Sequence, residues 1–223
     1  MADLNKIVYN IAGPLGRTND NVFLNQLKYN IDYYRAMLLR RDEERNSFLH
    51  DHFIQDLGVV KMISVDAAED CNLKLNCSIL RTIDKIPSPV RFKNKNLFHY
   101  VGAIDKKTVF MEVEDASIEY MTLSPYSGNK PMYFYRNGYI YVINVGNLKY
   151  INIQGIFEEP AQVASFSCDG VSCYDENTDY PIALDMVEII TKAILSGEAQ
   201  LNVPDEANLK VPLNGSDRIK ATS

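Results

Sequence analysis

Residue types that carry acid–base, nucleophilic or metal chemistry are sparse in this chain and poorly grouped. His50 and His52 flank Asp51, a spacing that lets two imidazoles reach one metal ion from an extended strand, although a solvated surface pair is the simpler reading. Glu112 and Glu114 fall on one face of any strand that holds them, with Asp115 next. That pattern suits a divalent cation or the carboxylate pair of a glycosidase. Asp66, Glu69 and Asp70 form a second acidic group. His99 stands alone among Phe98, Tyr100 and Val101, which reads as a hydrogen-bonded core or interface side chain without a nucleophile motif. The glycine pair in GPLGRTND, residues 13 to 20, lacks both the lysine and the preceding strand of a phosphate-binding loop. Cys71/Cys77 and Cys168/Cys173 do not have zinc-knuckle spacing, and without an export signal they are expected as reduced thiols. No catalytic residue, cofactor or metal ion is expected.

Charge narrows the classes further. The 223 residues carry 23 Lys and Arg against 29 Asp and Glu, a formal charge of −6, which disfavours a basic nucleic-acid-binding domain. The imbalance is local. From Tyr150 to Thr191 there are eight acids (Glu158, Glu159, Asp169, Asp175, Glu176, Asp179, Asp185 and Glu188) and no Lys or Arg, so this block holds −8 and the remainder +2. A like-charged block is ordinarily a solvated face; its sharper meaning is a surface that repels a polyanion or meets a basic partner. No apolar run approaches the ~18 residues of a membrane span and MADLNKIVYN has no signal-peptide core, so a soluble protein made in a cytoplasm is expected.

The elements that must position these groups give an α+β chain. Asn19-Asp20-Asn21 offers N-cap residues before a long amphipathic helix of roughly 25 residues, about 37 Å at 1.5 Å per residue. Leu24, Leu27, Ile31, Tyr34 and Leu38 recur at spacings of 3, 4, 3 and 4 on one stripe, with Phe23, Tyr33 and Met37 widening it, and Arg40 to Arg45 reads as an exposed charged end. Alternating runs follow: VVKMISVD, CNLKLNCSILRT, LFHYVGAID, VFMEVE and LKYINIQGIFE, with a short helix at Asp115 to Leu123 turning Ile118 and Met121 inward. PMYFYRNGYIYVIN is the strongest local signal, because Asn137-Gly138 suits the positive φ angles of a type I′ hairpin turn. Its Tyr133, Tyr135, Tyr139 and Tyr141 are expected on one face, with Phe134 and Ile140 on the other. A late helix begins near Asp179-Tyr180-Pro181, with Ile182, Met186, Ile189, Ile190 and Ala193 at helical spacing. The expected organisation is a helical region over 1–60, a β-rich region over 61–178 with its hairpin at 133–143, a helix over 179–201 packing on the first, and a flexible arm over 202–223.

Four stretches carry a resemblance. Ile86-Pro87-Ser88-Pro89-Val90, the Asn137-Gly138 hairpin and Leu148 to Pro160 (LKYINIQGIFEEP) are similar to ring, or adaptor, proteins of the head-to-tail connector of crAss-like short-tailed phages. Tyr180-Pro181-Ile182 followed by Asp185 to Ile190 (DMVEII) resembles their closing element. The resemblance implies a structural virion protein, not an enzyme, in a ring of about twelve copies below the portal protein. Such a ring lengthens the channel through which DNA passes without sequence-specific binding, and offers a platform for further tail proteins. An acidic wall would not retard that DNA. Exposure logic then places contacts with neighbours on Leu27, Tyr34 and Leu38 for packing, on Arg40 and Arg41 for polar contact, and on the arm through Asn202, Leu209, Val211 and Leu213. The competing reading is a small β-domain that binds peptide or glycan through the tyrosine face of the hairpin.

Overall fold

Leu4, Ile7, Val8 and Ile11 repeat at the spacing of one helical face, and they form a helix, α1 (Leu4–Ala12), whose apolar side is buried. The sequence reading passed over it and placed the first element after residue 19. A computed structural model describes residues 3–46, 50–66, 78–93, 97–114, 117–118, 120, 129–146, 148–166 and 179–196. Helix α2 spans Asn21–Asn46; the Asp20 carboxylate accepts the Phe23 amide at 3.1 Å and caps its start. Leu24, Leu27, Ile31, Leu38 and Leu39 are buried, Phe23 widens that stripe and Tyr34 packs half-buried beside it. Tyr33 and Met37 do not: both are exposed on the opposite side of the helix. Nor is the charged end uniformly solvated, since Glu43 is buried and Arg40 half-buried.

Two short helices follow the strands, α3 (Pro160–Phe166), which the sequence reading also missed, and α4 (Leu184–Leu195). Tyr180-Pro181-Ile182 precedes α4 in non-helical backbone, because Pro181 biases its predecessor away from helix. Met186, Ile190 and Ile194 are buried, whereas Ile189, expected on the same stripe, is exposed. Helices α1, α2 and α4 pack pairwise around one core, completed by Phe53, Val90, Ile156, Tyr180 and Ile182.

The strands are β1 (Gln55–Asp66), β2 (Ser78–Thr82), β3 (Tyr100–Gly102), β4 (Met111–Glu112), β5 (Met132–Arg136), β6 (Tyr139–Ile143) and β7 (Tyr150–Gly155). They form one sheet in the order β3-β7-β1-β2-β6-β5-β4, antiparallel except for β4 with β5. Strand β1 pairs with β7 over its first half and with β2 over its second, and bends at an irregularity between Asp56 and Val59 where Gly58 takes φ 72°. The two ends of the order meet. Gly102 bridges Val109, and the Phe110 amide donates to the Val101 carbonyl at 2.8 Å, so the chain entering β4 also flanks β3. The sheet therefore curls into a small barrel in which β3 and the chain entering β4 adjoin. Leu57, Val60, Phe98, Val101, Phe110, Tyr133, Ile140, Val142, Ile151 and Ile153 fill one side of it. A smaller cluster of Ile79, Val113, Ile118, Met132, Phe134, Tyr141 and Ile143 lies on the other.

Asn137 (φ 52°) and Gly138 (φ 86°) join β5 to β6, with Arg136 opposite Tyr139. That two-residue turn pairs Tyr133 with Val142, Tyr135 with Ile140 and Phe134 with Tyr141. Paired residues share a face, so the four tyrosines divide two and two: Tyr133 and Tyr135 face the main barrel core, Tyr139 and Tyr141 the smaller cluster. The expectation of one tyrosine face is thus corrected by the register that the turn itself imposes.

Candidate functional site at the seam of the two layers

Helical layer and barrel meet along α2, the segment Ile156–Glu159 and the approach to α4. Successive side chains of that segment point opposite ways, Ile156 into the helical core and Phe157 into the barrel core. Across this seam lies Arg35, 0% exposed. Its Nε donates to the Pro181 carbonyl at 2.7 Å and its Nη1 to the Phe157 carbonyl at 2.9 Å, while its guanidinium sits 5.7 Å from the Tyr180 ring centroid. One turn earlier, Asp32 accepts the Tyr180 hydroxyl. Burial dominates both charges. It lowers the pKa of Arg35 despite Tyr180 and Asp32. It raises Asp32 from 3.8 to about 6, against the Tyr180 hydrogen bond and the Arg35 charge and with help from Glu159.

At the rim of the seam, Arg40 donates to Glu158 at 2.6 Å and Gln162 to Glu159 at 2.6 Å. Tyr29, Asp32, Tyr33, Ala36, Arg40, Glu158 and Glu159 line a notch of about 280 Å³. A larger open groove of about 1080 Å³ runs along the barrel between β1, the 83–88 segment, the hairpin tip and α3, and presents Lys61, Lys85, Val59 and Ile83. The seam holds carboxylates, guanidiniums and a phenol bonded to one another or to backbone, with the buried Nη2 of Arg35 left without an acceptor. Its chemistry is that of a fastener: one cation ties α2 to the carbonyls ahead of α3 and α4.

The groups singled out for chemistry are not gathered anywhere. His50 and His52 stack at 5.5 Å at the surface, His52 resting on Phe53, and burial, with His50 next, lowers the His52 pKa. Glu112 is committed to structure, accepting the Leu97 amide at 2.9 Å and the Tyr133 hydroxyl at 3.1 Å, while Glu114 is exposed beyond β4. His99 is exposed rather than a core side chain. Among the described residues no group of three His, Cys, Asp or Glu is placed to hold a metal ion, and no helix is long and apolar enough to cross a membrane. Cys71, Cys77, Cys168, Cys173, Glu69, Asp70, Asp115 and Met121 lie outside the described residues.

The expected contact residues separate in the same way. Leu27 and Leu38 are buried inside the chain's own helical core, which accounts for them without a neighbour. Tyr34 packs half-buried against that core and Arg40 joins Glu158, whereas Arg41 is exposed. Asn202, Leu209, Val211 and Leu213 lie outside the described residues. The sequence reading missed Arg35, Asp32 and Tyr180. Arg35 had a signal, because it falls four residues after Ile31 and three before Leu38 on the buried stripe, where a cation must find acceptors. Among curated proteins, no sequence match is found. A family model described as phage tail ring protein 2, of crAss-like phages, matches residues 6–208, through helical layer and barrel alike, and the chain belongs to that family.

Proposed function

We propose that this protein is a structural subunit of a ring in the phage head-to-tail connector, about twelve copies assembled below the portal protein. The ring extends the DNA channel and presents a platform to further tail proteins; it turns over no substrate and uses no cofactor. Family membership over residues 6–208 carries this reading. The seam supports it, since its ionisable groups are spent on fastening two layers together. The net charge of −6 per chain suits a conduit for a polyanion. The peptide- or glycan-binding alternative loses its main feature, because Tyr133 and Tyr141 are buried on opposite sides of the sheet. Contacts beyond the described residues, on the arm through Asn202, Leu209, Val211 and Leu213, belong to this proposal; deleting residues 204–223 should leave the fold intact and weaken assembly.

The deciding experiment is light scattering on a sizing column, with the chain alone and mixed with its phage's portal protein. Joining the portal at one copy per portal subunit supports a ring directly below it. A chain that stays at its monomer mass beside the portal overturns that position and directs the search to a later ring of the tail.

A further inference from the structure

Resting on the reading of the chain as a ring subunit, we infer that neighbouring copies meet through two unlike surfaces: the outer face of α2 with its acidic notch on one copy, and the turn between β3 and β4 on the next. Helix α2 has a second apolar stripe opposite its core stripe. Val22 is 80% exposed, Tyr29 66%, Tyr33 56% and Met37 39%, and at 3.6 residues per turn these four share one side of the helix over about 22 Å. An aligned row of exposed Tyr, Met and Val marks a contact surface, since Tyr and Met are the side chains protein interfaces favour and scattered single apolar residues are what ordinary surfaces show. Tyr29 and Tyr33 also line the notch that holds Glu158 and Glu159. Arg40 answers Glu158 within the notch, which leaves Glu159, held only by the neutral Gln162, as the charge to be met, so a partner suited to this face brings apolar surface and a cation.

The same chain presents such an object. Between β3 and β4 the Ala103 amide donates to the Thr108 carbonyl and the Lys106 amide to the Ala103 carbonyl, each at 3.0 Å, and the Tyr100 hydroxyl donates to the Ala103 carbonyl at 2.9 Å. The Lys107 amide donates to the Asp105 side chain at 3.1 Å. These bonds fix a projecting turn whose exposed residues are Ile104, Asp105, Lys106, Lys107, Thr108 and Val109. Lys106 lies 3.6 Å from Asp56 of its own copy, and the Asp105 carboxylate is turned back onto the Lys107 amide, which leaves the Lys107 side chain as the cation offered outward. Because the turn is already built, docking it costs little ordering entropy. Because the two surfaces differ, the contact is head-to-tail, the type that closes into a ring; a self-complementary stripe would stop at a two-fold dimer.

The test uses the full-length chain at its highest soluble concentration, alone and with portal protein, in a mixture of isotope-labelled and unlabelled copies. Zero-length amine–carboxylate cross-linking should join Lys107 of one copy to Glu158 or Glu159 of another. Lys107→Glu and Glu159→Lys should each weaken assembly roughly tenfold or more, and the two reversals together in one chain should restore most of it. Ile104→Asp, on the same turn, should weaken assembly without lowering the melting temperature. Assembly that proceeds unchanged in every variant overturns this interface while leaving the ring intact. A wild-type chain that forms neither oligomers nor inter-copy cross-links, with or without portal protein, overturns the ring reading and this inference with it.

Discussion

The barrel and the helical layer solve the same packing problem by different means. In the barrel, each strand is paired with its neighbours in one continuous order, the ends of the sheet meet, and the interior is filled by apolar and aromatic side chains. Three helices cannot cover themselves in that way. Their layer packs on Phe53, Val90 and Ile156 and is tied by Arg35, whose guanidinium reaches the Phe157 and Pro181 carbonyls, and α2 keeps a row of apolar side chains on its outer surface. The difference teaches where assembly can act. The barrel closes on itself, while the helical layer, so packed and tied, carries the exposed apolar row.

If that contrast is right, the largest effect should come from the fastener. Arg35→Ala leaves the buried Phe157 carbonyl and the part-buried Pro181 carbonyl without their donor and a cavity in the seam, and should cost on the order of 3–5 kcal/mol in denaturant unfolding. Amide exchange should then show α2 and α4 losing protection while β5 and β6 keep theirs. Equal loss in both layers would mean that they unfold as one unit and that the contrast is only architectural.

Asp32 provides a subtler break in the same seam. Folding raises its pKa from 3.8 to about 6, so the native state holds this proton more tightly than the unfolded chain. Its stabilising contribution is full below pH 3.8, falls as pH rises through 6, and is on the order of 2–3 kcal/mol across that window. Asp32→Asn keeps an acceptor for Tyr180 and removes the titration. The unfolding free energy of the wild type, taken relative to this variant, should therefore decline between pH 4 and pH 7. Parallel curves would show that the carboxyl is better solvated than the seam suggests.

Legibility followed the same division. The hairpin was readable because Asn137-Gly138 specifies its own backbone angles, and the α2 core stripe because its period is sustained over four turns. The pairing register was equally available, since a two-residue turn fixes which residues face each other, yet the tyrosines were placed by their spacing instead. Helix α1 has only nine residues, too few for periodicity to stand out, and barrel closure depends on a bridge between Gly102 and Val109 that no local pattern announces. Tyr33 and Met37 were misplaced for a different reason. An apolar side chain at helical spacing looks like core whether the chain's own fold or another surface covers it.

Two glycines test the barrel by different mechanisms. A β-carbon on Gly102 would lie 2.2 Å from the Thr108 carbonyl oxygen and 2.5 Å from the Tyr100 hydroxyl, so Gly102→Ala must open the turn between β3 and β4. A cost of about 1–3 kcal/mol is expected from overpacking, together with weaker assembly if that turn docks on a neighbour. Gly138→Val meets only ordinary contacts, the nearest being the Lys85 side chain at 3.5 Å, so its cost comes from the backbone alone. At φ 86° a β-branched residue should cost about 1–2 kcal/mol, read as a lower melting temperature with assembly unchanged in the surviving folded fraction.

The smallest effect is expected five residues along the same helix from the largest. Arg40 meets Glu158 at 2.6 Å, yet the two side chains keep 40% and 42% of their surface in solvent. Water screens both charges and competes for both partners, so distance alone overstates the bond. Arg40→Ala should change stability by less than about 1 kcal/mol, and raising salt to about 0.5 M should erase most of that difference. Arg35→Ala, measured in the same salt, should keep nearly its full effect because no ion reaches the buried guanidinium. If the two substitutions instead responded to salt alike, Arg35 would have to be solvated, and the seam would be a surface contact rather than the joint that holds the helical layer to the barrel.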